Sequence, residues 1–457
     1  MSKQALTRIL NPQTIAVVGA SGRENNLGHW LLKSIIKGGY AGKIYPVNPK
    51  GGEILGLEVF PDVASLPTPV DVAVLSIPAS AVIPTVAVLG DKQAAGVVVV
   101  AGGFAEAGPE GQALQEELHE VAARSGVRLL GPNTIGFVST RARLNATFSP
   151  EMGGSAPGTI GVVSQSGSVC ETLYFRCLER GVGFSALISA GNEADLDLCD
   201  YLEYLLEDVD TSVIALYVEQ IRRPKRFVEL LRNRPNRKPV VMFRTGRTAF
   251  GKMAAASHTG AMAGNDAVMK AVCRQLDVVD TRSYDDLIDA AIAMSGGRFS
   301  KGRRLAIVTG PGAPGVAACD AAIEAGMEMA VLGRETSAGL AKVLPAVASW
   351  RNPVDLTGSG ATNPDMVNKT LELVLGDDAV DGIIFILGAL FATQGRDDLV
   401  GIINGQKKPV LAVAMASLTQ NPDTRAMVEY LGQNGIPCFL SPERAVRAFA
   451  LLAKAAT

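Results

Sequence analysis

Short runs of aliphatic and β-branched residues alternate with longer amphipathic stretches along the whole chain. The first part carries TIAVVGAS from Thr14, KIYPVNP from Lys43, VDVAVLSIP from Val70, AGVVVVAGG from Ala95 and VRLLGPN from Val127. A second series follows: TIGVVSQSG from Thr159, GFSALISAGN from Gly183, SVIALYVEQI from Ser212, KPVVMFRTG from Lys238 and LDVVDT from Leu276. A third comprises LAIVTGPGAPG from Leu305, MEMAVLG from Met327, GIIFILGA from Gly382, PVLAVAMA from Pro409 and IPCFLSP from Ile436. Strands this apolar, each followed by a helical pattern, predict parallel βαβ units buried on both faces. The Gly/Pro/Ser-rich SPEMGGSAPG and the basic SGGRFSKGRR read as linkers between the series. The chain therefore reads as α/β with three domains, near 1–145, 155–298 and 302–457. A length of 457 residues gives the same count at about 150 per domain.

Composition adds exclusions. With 47% apolar residues and 49 glycines the chain is globular, and its formal charge of −2 offers no global attraction to nucleic acid or an anionic membrane. An anionic ligand must be held locally. Six cysteines with no C-x-x-C pair suggest neither a disulfide framework nor a zinc ribbon, and no metal site is expected. No signal peptide and no apolar run of about 18 residues stands out, so a cytoplasmic protein is expected.

In open parallel sheets ligands sit at the carboxyl ends of the strands, where helix N-termini present unpaired N–H groups. The first such turn, VVGASGRENNLG, carries Gly19, Gly22 and Gly28 but is not G-x-G-x-x-G. The second strand ends in Asn48 and Lys50 where a nicotinamide binder usually has an acid, which favours a phosphate-bearing ligand over NAD. In the second series Ser166, Gly167 and Ser168 stand at a strand-to-helix junction. They read either as a phosphate cradle or as an ordinary N-cap. Ser166 is not a hydrolase nucleophile of the G-x-S-x-G type, because residues 164 and 168 are serines.

His258 is one of only three histidines and lies in AAASHTGAMAG, after a basic, glycine-containing segment read as a loop. Small neighbours let other elements approach its ring and leave the segment free to move, so His258 is expected in a mobile loop. Glu219, at the end of the YVEQI strand, is a carboxylate able to hold one ring nitrogen as N–H and leave the other nucleophilic. The bland alternative is a structural histidine.

The stretches SQSGS, SAGNEADLD, YVEQI, RTGRTAFGKMAAASHTGAMAGND, NPVDLTG and IPCFLSPERAVRA together closely resemble the α subunit of ADP-forming (NDP-forming) acyl-CoA synthetases. This is the acetate–CoA ligase group of the succinyl-CoA synthetase superfamily, and the likeness runs from about residue 8 to 455. The resemblance implies a Rossmann-like CoA-binding domain followed by two flavodoxin-like domains. It implies His258 as the phosphohistidine, Glu219 as its orienting acid, and Ser166, Gly167 and Ser168 as the phosphoryl site. CoA is implied along Gly19, Ala20, Ser21 and Gly22, with Lys50, Ile77, Pro78, Ala79, Val100, Ala101, Gly102 and Asn133 completing its site. The implied reaction interconverts acyl-CoA, ADP and phosphate with a carboxylic acid, CoA and ATP. No G-x-x-x-x-G-K-[ST] occurs. The resemblance implies ATP/ADP with Mg on a separate ATP-grasp β subunit, in an α2β2 assembly. The competing readings are a non-catalytic CoA-binding scaffold and a nicotinamide-linked oxidoreductase.

Overall fold

A computed structural model describes residues 2–152, 157–259, 265–388, 395–415, 417–418 and 420–455. The chain divides into two compact units, residues 1–175 with 183–282, and residues 176–182 with 283–457.

The first unit holds two sheets. One has the strand order Lys43–Val47, Thr14–Val18, Val72–Leu75, Gly96–Val99, Arg128–Leu130, all parallel. Order reverses between Thr14–Val18 and Val72–Leu75, because the chain first winds outward to Lys43–Val47 and then returns to the other side. The helix Leu27–Lys37 follows the first strand and buries Gly28, Leu31, Leu32 and Ile35, one stripe at helical spacing. Its start is capped by Asn26, whose Oδ1 accepts the Gly28 N–H at 2.9 Å.

The other sheet runs Val278–Thr281, Val240–Arg244, Val213–Val218, Pro157–Ser164, Phe184–Ser189, Gly136–Ser139, Leu144–Thr147. The first five strands are parallel; the last two form an antiparallel hairpin that the hydrophobic pattern did not predict. Its segments GFVS and LNAT are four residues long and half polar, so neither a run nor an alternation stands out. Side-chain bonding makes their burial tolerable: Asn145 Oδ1 accepts from the Thr147 N–H at 3.1 Å and from its hydroxyl at 2.7 Å. An apolar core runs through this unit from Ile15, Val17 and Leu31 to Ile188, Leu216 and Met242.

The second unit is built on a parallel sheet of order Glu328–Met329, Arg304–Thr309, Gly382–Leu387, Val410–Ala414, Cys438–Phe439, with Val354–Asp355 beside Arg304–Thr309. Arg180, from the short segment 176–182, is buried in it, with Nη1 2.5 Å from Asp289 Oδ1. Arg444 closes on the same carboxylate, Nε to Oδ2 at 2.6 Å and Nη2 to Oδ1 at 2.9 Å. All six cysteines are free thiols and all but Cys319 are buried.

Candidate active site

The turns after the strands of the first sheet share its carboxyl edge. Gly19 has φ +89°, and a Cβ built there would lie 2.3 Å from the Ser76 carbonyl oxygen. A Cβ on Gly28 would lie 1.9 Å from the carbonyl oxygen of Gly19. The two glycines thus let the turns after Val18 and Leu75 meet the first turn of the helix Leu27–Lys37 at the point where strand order reverses. That is where this topology leaves a crevice. Asn48 Nδ2 donates to the Ala20 carbonyl at 2.7 Å, and Asn48 Oδ1 accepts the Lys50 N–H at 3.0 Å, which ties the second turn to the first and leaves Lys50 exposed. Ser21 meets His29, its carbonyl oxygen 3.1 Å from Nδ1. Gly22 has nothing within 4 Å of a Cβ position. Ile77, Pro78 and Ala79 run into the helix Ala79–Asp91, and Val100, Ala101 and Gly102 form the next turn.

In the second sheet the helix Gly167–Leu178 starts directly after Pro157–Ser164. Ser166 and Ser168 face each other with hydroxyl oxygens 3.2 Å apart, and Ser164 Oγ donates to the Ser166 carbonyl at 2.7 Å. A Cβ on Gly167 would lie 2.6 Å from Ile135 Cγ2, so glycine permits the helix start to come this close to Ile135. Early helical N–H groups have no intrahelical acceptor and carry the positive end of the helix dipole.

A cavity of about 570 Å³ opens on that helix start, lined among others by Val100, Asn133, Ser166, Gly167, Ser168 and Glu219. Thus the second-sheet cradle, the expected orienting acid and two residues from the turns of the first sheet share one space. Gly19 to Gly22, Lys50 and residues 77–79 do not line it.

Two acids and two amides that sequence reasoning did not single out, Glu106, Glu193, Gln165 and Asn192, also line it. Gln165 Nε2 donates to Glu193 Oε1 at 2.9 Å and to the Gln220 carbonyl at 2.7 Å. Glu193 is buried, in a left-handed backbone conformation with φ +54°. Burial pushes its carboxyl up to about 7, despite the Gln165 hydrogen bond, and the neighbouring charge of Asp197 adds to the rise. Glu106 is shifted the other way. Burial opposes its charge, but the Asn192 amide, 2.5 Å from Oε2, and the Gly103 and Phe104 N–H groups on Oε1 outweigh that and hold it below its ordinary value.

Glu219 also lines two smaller hollows, of about 490 and 300 Å³, shared with Arg244, Thr245 and Gly246. Asp280 binds two guanidinium groups, Arg247 at 2.6 and 3.1 Å and Arg244 at 3.2 Å, and Arg244 also reaches Asp266 at 3.0 Å. This network braces the turn from which the helix Ala249–Thr259 departs. The main chain at His258 is in that helix rather than in the loop expected from sequence. The run Lys252, Met253, Ala254, Ala255, Ala256 consists of strong helix formers, and their propensity outweighs the small polar residues that follow. The His258 side chain lies outside the described residues.

A CoA binding domain model matches residues 13–140, a succinyl-CoA ligase-like flavodoxin domain matches 157–294, and a ligase-CoA domain matches 305–452. The α subunit of acetate–CoA ligase (ADP-forming) II from Pyrococcus furiosus is 36% identical, over 98% of both chains. The α subunit of isoenzyme I from the same organism is 34% identical, over 98% of this chain and 97% of its own. This chain belongs to that family of ADP-forming acetate–CoA ligase α subunits. It spans only 63% of a longer relative, the Archaeoglobus fulgidus acetate–CoA ligase (ADP-forming) I, at 36% identity. Among solved structures it superposes on a dinucleotide forming acetyl-coenzyme A synthetase 1 of Ca. Korarchaeum cryptofilum, in complex with phosphate and ADP. There the TM-score is 0.88 at 33% identity, over all of this chain and 97% of the other.

For this family member the residues missed by sequence reasoning are Gln165, Glu193, Asn192 and Glu106. Gln165 lies in SQSGS, and Asn192 and Glu193 lie in SAGNEADLD, motifs already visible, whereas Glu106 lies in the short helical turn Ala105–Ala107 beyond Gly102. The rule that ligands gather at carboxyl ends of strands applies to them equally. What hid them was their partners, which come from distant parts of the chain. Among the described residues no three His, Cys, Asp or Glu side chains are grouped to hold a metal ion, and no helix is long and apolar enough to cross a membrane.

Proposed function

We propose that this chain is the acyl-transferring α subunit of an ADP-forming acyl-CoA synthetase, with His258 as its phosphorylated residue. The observation that carries the reading is the cavity joining the Ser166–Gly167–Ser168 helix start to Glu219 and to Val100 and Asn133 of the first sheet's turns.

CoA lies along the carboxyl edge of the first sheet, its phosphates near Gly19 to Gly22 and Lys50. The edge suits such a ligand: the backbone turns are close, Gly22 is open, and Lys50 is exposed. The loops at 77–79 and 100–102 and Asn133 guide its thiol end toward the cavity. Phosphate held at the helix start attacks the thioester carbonyl; the carbon–sulfur bond breaks and an acyl phosphate forms. The N-terminal N–H groups and the Ser166 and Ser168 hydroxyls stabilise the charge that spreads over the phosphoryl oxygens. One imidazole nitrogen of His258 then attacks phosphorus and the carboxylate leaves, while Glu219 holds the proton on the other nitrogen. The phosphohistidine finally passes its phosphoryl group to ADP, which binds with Mg on a separate ATP-grasp β subunit in an α2β2 assembly. The free cysteines support a cytoplasmic setting.

The test is mass spectrometry at neutral to basic pH after incubation with acetyl-CoA and phosphate, with acetyl phosphate, or with ATP and the partner chain. Acid-labile phosphate on the peptide containing His258 is expected, absent in His258→Asn, which keeps CoA binding. No phosphate under any of these conditions makes the chain a CoA-binding module without catalysis.

A further inference from the structure

One side chain joins the phosphoryl cradle to the orienting acid. Strands Pro157–Ser164 and Val213–Val218 pair in parallel up to Ser164 and Tyr217, and the main-chain N–H of Gln165 still reaches the Tyr217 carbonyl at 3.3 Å. Beyond that point the ladder ends and the cavity begins. There the Gln165 side chain takes over. Its Oε1 accepts the main-chain N–H of Glu219 at 2.6 Å and of Gln220 at 3.0 Å. Its Nε2 donates to the Gln220 carbonyl at 2.7 Å and to Glu193 Oε1 at 2.9 Å. A primary amide has two acceptor sites and two donors, so all four are used. Reversing the amide would face its NH2 to two N–H donors and its oxygen to a carbonyl and a carboxyl oxygen, so one orientation is enforced.

Glu193 is in turn immobilised. Its Oε1 also accepts the Leu198 N–H at 2.9 Å, and Arg222 Nε stands 3.4 Å from Oε2. Its left-handed backbone is a conformation that carries strain in a residue other than glycine and persists where surrounding structure over-determines it. The preceding Gly191 packs so closely that a Cβ there would lie 2.3 Å from the Pro132 carbonyl oxygen.

We propose that Gln165 is a positioning residue for phosphoryl transfer: its amide, oriented by Glu193, holds the Glu219–Gln220 main chain in fixed register with the Ser166–Ser168 helix start. The proposal rests on the function proposed above. The amide bonds of Gln165 go to Glu219, Gln220 and Glu193, so it acts through Glu219. Displacing a positioned group by about 1 Å costs on the order of 100-fold in rate, so loss of these bonds should appear in turnover rather than in substrate affinity.

The experiment compares Gln165→Leu, the isosteric Gln165→Glu, Glu219→Gln and the double variant Gln165→Leu/Glu219→Gln. Each is assayed with the partner chain for phosphorylation of His258 by ATP and for steady-state acyl-CoA turnover. Gln165→Glu keeps the acceptor and turns the donor into an oxygen facing Glu193 and the Gln220 carbonyl. Both Gln165 variants are expected to lower kcat about 10- to 100-fold with KM for acyl-CoA within about twofold. The double variant is expected to be no slower than Glu219→Gln alone, because the two residues act as one unit. Additive losses, or a kcat near wild type in Gln165→Glu, overturn the proposal. Gln165→Glu decides the matter should Gln165→Leu fail to fold. A phosphorylated wild type with unaffected Gln165 variants removes this proposal alone; a wild type that carries no phosphate removes the proposed function with it.

Discussion

Gly19→Ala tests whether the first turn is shaped by backbone contact rather than by side-chain preference. Two terms add. An alanine at φ +89° occupies a region that L-residues avoid, at about 1–2 kcal/mol. Its methyl would stand 2.3 Å from the Ser76 carbonyl oxygen and 2.9 Å from its carbon, both main chain, so two strand ends must separate. Overpacking of this kind costs about 1–3 kcal/mol, giving roughly 2–5 kcal/mol in all. Gly22→Ala is the control in the same turn. It has nothing within 4 Å and no positive φ, so it should change stability by no more than about 0.5 kcal/mol. Differential scanning fluorimetry, with and without CoA, separates the two effects. Gly19→Ala should lower the midpoint by at least about 4 °C. Gly22→Ala should keep the wild-type midpoint but lose much of the rise that CoA produces. Equal midpoints for the two variants would refute the contact argument; an undiminished CoA effect in Gly22→Ala would remove that turn from the CoA site.

Glu193→Gln should remove a pH-dependent penalty. Burial raises the folded-state value from 4.5 to about 7. Between those values the folded protein therefore keeps a proton that the unfolded chain has released, and stability falls as pH rises, with the full penalty above about 7. The unfolding free energy of the variant relative to wild type, from urea titrations, should rise over that window, by roughly 3 kcal/mol at most, and a constant difference would show that Glu193 titrates normally. Asp289→Asn leaves the guanidinium groups of Arg180 and Arg444 facing one another in the second unit, and a loss of about 3–5 kcal/mol is expected in urea unfolding. Arg180→Met should cost less, because Arg444 still compensates Asp289; the reverse ranking would show that Arg180 is held by packing alone. Glu219→Gln should slow phosphorylation of His258 while leaving CoA binding unchanged, and unaltered single-turnover rates would make Glu219 a structural acid.

The amino-acid pattern by itself determined the parallel strands, because a strand buried on both faces must be apolar at every position, and TIAVV, VIALYV and GIIFIL are legible wherever they fall. It also located the carboxyl-end turns, since Gly19 and Ser166–Gly167–Ser168 follow such strands directly. No such pattern marks the hairpin Gly136–Thr147, and at His258 two local signals compete. The first exists through pairing with Phe184–Ser189, more than 40 residues away. The second reflects alanine propensity winning over the small polar residues beside it. Only the tertiary structure decided the site's fine construction. Gln165, Glu193 and Gln220 are ordinary polar residues in sequence, and Asn192 meets Glu106 across 86 positions. Their roles arise when the sheet brings two strand ends together and then stops pairing. At that point buried backbone groups need partners, and the side chains that supply them can come from any part of the chain that the fold places within about 3 Å.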